Sequence, residues 1–162
     1  MKAAVFFGPR DIRVQEVPVP EIGNQEILVK VGVCGICGSD LHLYKTGAFE
    51  DMGAVMGGGR VMGHEFAGEV VKVGEGVVGV AVGDRVAALA MGGLAEMVKI
   101  RRAAVGRNVF PLSPAVSYEE AATAEPLAAS LHAVKLAEPS PGETVVILGA
   151  GPELQGGQVG AS

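Results

Sequence analysis

Only two cysteines occur among the 162 residues. Two cannot build the disulfide framework of a small secreted domain, so the chain reads as a protein of a reducing compartment. Long apolar runs are missing as well. No stretch approaches the roughly 18 residues that a membrane-spanning helix needs, and no cationic segment followed by an apolar core resembles a secretory leader. Neither a membrane nor export is expected, and the cytoplasm is. Basic excess is lacking too: 13 Lys and Arg against 18 Asp and Glu give a net charge of −5. That leaves no electrostatic footprint for nucleic acid.

What is present describes a globular chain, with 49% hydrophobic and 19% charged residues. The length suits one domain, or one domain plus part of another. The 25 glycines are about double the usual share of roughly 7% and follow no collagen-like period. They are expected to serve turns, bulges and close backbone approaches.

Residues 2–6, 12–17 and 26–33 read as strands separated by Gly-Pro, Pro and Gly-Asn breaks. Ser39 or Asp40 is placed to open a short helix after Gly35. Residues 45–60 show no period and read as a loop. Further strands are expected at 66–73, 85–89 and 94–100. After residue 113 the chain turns alanine-rich, and Ser117 with Glu120 forms a capping-box pattern. Pro126 fits the first turn of a second helix, which carries Leu127, Leu131, Val134 and Leu136. "GETVVILGAGP" then reads as a turn, a β-branched strand at 144–148 and a glycine turn, the opening of a dinucleotide-binding unit. No internal repeat is visible.

Chemistry concentrates in two places. Cys34 and Cys37 form a CxxC, which by itself suits half a zinc ribbon, a redox pair, two unrelated small residues, or a single soft ligand at Cys37. No second CxxC exists to complete a ribbon. "VMGHEFAGEV" sets His64 beside Glu65 where neither suits an apolar sheet. A lone histidine there is commonly a hydrogen-bonded structural residue. Should Cys37, His64 and a carboxylate converge, they form a three-ligand site with an open position, the arrangement of catalytic zinc.

"CGICGSDLHLY", "MGHEFAGEVVKVGEGV", "VGDRV", "AEPLAASLHAV" and "GETVVILGAGP", in this order, closely resemble the zinc-dependent medium-chain alcohol and polyol dehydrogenases, in particular the butanediol and sorbitol branch. The likeness covers about residues 1–152 with one gap. It implies a mostly β fold with a few helices: a GroES-like, partly open β-barrel followed by the first strand of a truncated Rossmann unit. The implied domains are 1–137, zinc-binding and catalytic, and 138–162, a remnant of a dinucleotide-binding domain. By the resemblance Cys37, His64 and Glu65 are metal ligands, and Glu125 is a carboxylate that also reaches the metal. Asp40 is implied to hold the ligand histidine, and Ser39 and His42 to pass a proton to solvent. Cys34 is expected to be a packed small residue and His132 a structural one.

Two departures shape the expectations. The four-cysteine lobe that normally follows "VGDRV" is missing, so one catalytic Zn²⁺ and no structural zinc is expected. The glycine fingerprint has Gly149 and Gly151 but Leu154 in place of the third glycine, and "ELQGGQVGAS" supplies no ribose-reading acid. Glu153 would set a negative charge near the phosphates. NAD(P) is therefore expected for the family at full length and not for this chain. The expected substrate class is a small alcohol or polyol. The tail at 144–148 is expected to pack on the barrel or to mediate self-association into a homo-oligomer. A non-enzymatic zinc-binding or oligomerisation module is the alternative reading, and a metal-free structural barrel a third.

Overall fold

The computed structural model describes residues 1–48, 54–56, 58–149 and 151. The expectations for Glu153, Leu154 and the rest of 152–162 lie outside them. Among the described residues the strands form two antiparallel sheets. In the first, β1 (Lys2–Gly8) is flanked by β2 (Asp11–Glu16) and by β5 (Gly59–Val61), which also pairs with β4 (Ala54–Met56). The second sheet contains β3 (Ile27–Cys34), β6 (Phe66–Val73), β7 (Arg85–Ala88), β8 (Met97–Ile100) and β9 (Val109–Pro111), in the order β8-β3-β6-β7-β9. Neither sheet closes on itself. Helix α1 (Gly38–Thr46) leaves the end of β3, while α2 (Tyr118–Ala122) and α3 (Ala124–Ala137) follow β9. The expected mostly β, partly open GroES-like architecture with a few helices is the one observed.

The second sheet is built on side-chain alternation. Phe66, Val70, Val86, Val98 and Ile100 share one buried face with Ile27 and Val29. The opposite face presents Ala67 and Ala87, and these small residues let Ala121 of α2 pack close. Arg85 holds the approach to α2: its guanidinium lies 4.6 Å from the Tyr118 ring centroid and donates to the Val116 carbonyl at 2.7 Å. The Ser117–Glu120 capping box forms. The Ser117 amide donates to Glu120 Oε2 at 2.8 Å and the Glu120 amide to Ser117 Oγ at 3.1 Å. The Ser117 amide first, then its hydroxyl, hold the Glu120 carboxyl below its ordinary value.

By compactness the chain divides after Ala122 into two units, the second beginning at Thr123. The implied division at 137 concerned family ancestry rather than compactness. In the second unit α3 buries Ser130 and leaves Leu127, Leu131 and Leu136 exposed.

Three expectations change. Residues 54–56 and 59–60, read as loop, form with Val61 a hairpin attached to β1; strands of three residues are too short to show a period. Helix α1 is capped by Cys37, with Asp40 as the third residue of the box, instead of opening at Ser39 or Asp40. The strand expected at 144–148 is not one: residues 144–149 belong to no strand or helix. β-branched residues favour an extended chain, but a strand is defined by a ladder, and no described segment pairs with this one.

Truncating Ile27, fully buried in the second sheet, to alanine is expected to cost about 2–5 kcal/mol. Val14→Ala, at a residue 74% exposed on β2, should cost no more than about 0.5 kcal/mol. Urea unfolding of both variants checks the contrast.

Candidate metal centre

Strand pairing assembles the site. In the β3–β6 ladder Cys34 stands opposite Phe66, and the pairing continues one step further, with the Gly35 amide donating to the Glu65 carbonyl at 2.7 Å. Residues 35–37 leaving β3 therefore run beside residues 63–65 entering β6. Cys37, His64 and Glu65 come together there. Each offers one ligand atom, and the three atoms lie within 4.8 Å of one another, all half-buried.

Two glycines make room. A side-chain carbon at Gly35 would sit 2.5 Å from Glu65 Oε2, so only glycine lets that carboxylate lie across the loop. Gly63 has φ +86°, a left-handed backbone, and a side chain there would meet Cys34 Sγ and Leu94 at 2.8 Å. The Gly63 carbonyl also accepts the Gly92 and Gly93 amides, both at 2.9 Å, which ties the 92–94 segment to the histidine turn.

Asp40 is buried on α1, and its two oxygens serve two loops. Oδ2 accepts the Cys37 amide at 3.0 Å and Oδ1 the Gly63 amide at 3.3 Å. It therefore fixes the backbone beside both clustered side chains, whereas the sequence had implied a grip on the imidazole itself. His64 Nδ1 is buried and has no hydrogen-bond partner. Such an orphan costs roughly 1–3 kcal/mol unless a ligand or ion engages the ring.

Charge points the same way. Asp40, Glu65 and a cysteine share this corner, and among the described residues no Lys or Arg pairs with either carboxylate. Burial first, then the charges of Asp40 and Glu65, push the Cys34 thiol up to about 12. Cys34 is not one of the converging group; its sulfur is packed by the 63 and 93 turns and donates to the Gly35 carbonyl at 3.3 Å. A soft thiolate, an imidazole and a carboxylate around an uncompensated negative pocket fit Zn²⁺. The residues present suit the metal.

The model of the alcohol dehydrogenase GroES-like domain matches residues 23–113. The chain belongs to that family. It is 36% identical to sorbitol dehydrogenase of Bacillus subtilis (strain 168), covering 94% of this chain and 50% of the relative. It is 33% identical to (R,R)-butanediol dehydrogenase of the same organism, covering 94% of this chain and 52% of the relative. The crystal structure of 2R,3R-butanediol dehydrogenase from Bacillus subtilis superposes with a TM-score of 0.81 at 33% identity, over 96% of this chain and 52% of that one. The chain spans about half the length of the curated relatives it matches. The sorbitol dehydrogenase alignment runs over 181 positions, more than the 162 residues available, so that relative carries insertions this chain lacks.

The remaining named residues fall as follows. Ser39 is half-buried and His42 exposed on α1, the His42 carbonyl accepting the Thr46 hydroxyl at 2.9 Å. Glu125 is half-buried in the first turn of α3, in the second unit. Gly149, at φ +128°, and Gly151 lie outside any strand or helix. His132 is exposed on α3. Sequence reasoning missed Gly35, Gly63 and the 92–94 clasp; the spare glycines flanking each ligand motif were the available signal.

Cys37→Ser should lose most of the bound zinc, while Cys34→Ala should keep it. Elemental analysis of both purified variants after dialysis against a weak chelator checks this. Retention by Cys37→Ser would remove the assignment.

Proposed function

We propose that this chain is the zinc-binding catalytic part of an oxidoreductase of secondary alcohols or polyols. The observation that carries the reading is the convergence of Cys37, His64 and Glu65 beside an unpartnered buried imidazole nitrogen. Cys37, His64 and Glu65 would hold one Zn²⁺, with Glu125 as the fourth or alternate ligand. The bound metal supplies Lewis acidity toward an alcohol oxygen. Asp40 keeps the two ligand-bearing loops in register, which preserves the spacing of the donors. Ser39 carries a proton away from the substrate hydroxyl, and His42, exposed on the same helix, releases it to solvent.

Hydride transfer also needs a nicotinamide held against the reacting carbon. Gly149 and Gly151 are the positions that match the family's phosphate-binding turn, yet the segment before them forms no strand. A dinucleotide site rests on that strand, its glycine turn and the helix behind it. In this reading the chain by itself binds zinc but does not oxidise alcohols. A second reading, a zinc-binding module without redox chemistry, is supported by residues 144–149 forming no strand or helix. The two part on what happens when cofactor is added.

One zinc per chain is expected, with NAD and NADP binding no tighter than about millimolar, near −4 kcal/mol. Titration calorimetry with both cofactors, followed by assay against a panel of secondary alcohols and polyols, provides the test. Turnover together with a low-micromolar dissociation constant would contradict the inactive-fragment reading and leave the zinc site standing. Absence of zinc binding would overturn both readings.

A further inference from the structure

Sheet edges present unpaired amides and carbonyls, and proteins guard them with charge, proline or brevity. β2 keeps the charged side chains of Arg13 and Asp11 out in solvent, 62% and 39% exposed. β4 and β9 have three residues each, and β9 ends at Pro111. β8 has no comparable guard. It pairs with β3 alone. The Val31 amide donates to Glu96 at 3.0 Å, so Val29–Val98 and Ile27–Ile100 are the hydrogen-bonded pairs of this antiparallel ladder. Met97 and Lys99 then turn their amides and carbonyls away from β3, and among the described residues nothing bonds to them. A lysine on an edge repels partners when its charge points outward. Here Lys99 Nζ is drawn back to Glu26, at the entry to β3, at 3.3 Å.

A cavity of about 590 Å³ runs along this strand, lined by every residue from Met97 to Arg101, with Leu89 and Met91 on one side and Pro20 and Glu21 also at its wall. A five-residue strand, at about 3.3 Å rise, 4.8 Å strand spacing and 10 Å sheet spacing, fills roughly 790 Å³. The cavity takes most of one such strand. The same chain has a segment with the complementary need. Thr144–Leu148, TVVIL, is uncharged and rich in β-branched residues, belongs to no strand or helix, and leaves Val145 48%, Val146 76% and Leu148 87% exposed. That composition adds readily to open sheet edges.

We propose that Thr144–Leu148 of one copy adds antiparallel to β8 of a second copy within this cavity, and that reciprocal exchange closes the pair as a dimer. Val145 and Ile147 exchange hydrogen bonds with Lys99 and Met97. In this register Glu143, just before the segment, stands opposite Arg101, just after β8, and the charge pair fixes the alignment.

Sedimentation velocity of the 162-residue chain over a range of concentrations tests the proposal. A concentration-dependent dimer is expected, weakened roughly tenfold or more, about 1.4 kcal/mol, by Val146→Lys and by Lys99→Pro. Glu143→Arg or Arg101→Glu alone should weaken it, and the two together should restore it. Val146 and Glu143 are exposed, so their variants report on association without disturbing the sheets. A monomer at every concentration would overturn the proposal, as would a dimer indifferent to Val146→Lys and to both charge reversals.

Discussion

The antiparallel pairing of β3 with β6 is the constraint on which the site depends. Cys34 opposite Phe66, and Gly35 bonded to Glu65, bring two loops side by side that are separated by a full helix and a hairpin in sequence. Once that register is set, one loop must deliver Cys37 and the other His64 and Glu65 to the same place. A slip of one residue would send every side chain of β6 to the opposite face. Ile27, Val29, Phe66 and Val70 are buried in one cluster, which makes such a slip costly. The core that stabilises the sheet and the register that builds the site are one structure.

Asp40 extends this constraint beyond the strands. A buried carboxylate is costly unless its oxygens are engaged, and here each takes an amide from a different loop. The helix that begins at Cys37 is thereby joined to the turn at Gly63. The 92–94 segment closes the other side through the Gly63 carbonyl. What these bonds leave behind is a corner with Asp40, Glu65 and a thiol, an imidazole nitrogen without a partner and, among the described residues, no pairing cation. A divalent cation such as Zn²⁺ fits the electrostatic need that this corner creates.

Much of this was legible in the residues. Strong period-two runs marked β1, β3 and β6 within a residue or two of their observed ends. The Ser117–Glu120 box and Pro126 located the two later helices, because capping chemistry is local. Brief elements escaped: β4, β5 and β9 have three residues each and exist only through their partners. The strand read at 144–148 failed for the converse reason, a sequence suited to a ladder without a described neighbour. At the site, residue types pointed to Cys37, His64 and some carboxylate, and the family resemblance supplied Glu65, but the role of Asp40 depended on backbone positions that only the folded chain fixes. The same holds for Cys34, whose exclusion from the cluster is a matter of where its sulfur packs.

The most direct test of the account is X-ray absorption at the zinc edge on the zinc-loaded chain. One sulfur at about 2.3 Å with nitrogen and oxygen donors at about 2.0–2.2 Å is the result the account predicts. Two sulfurs would make Cys34 a ligand and contradict the packing described for it, and a shell with no sulfur would place the metal away from Cys37 altogether.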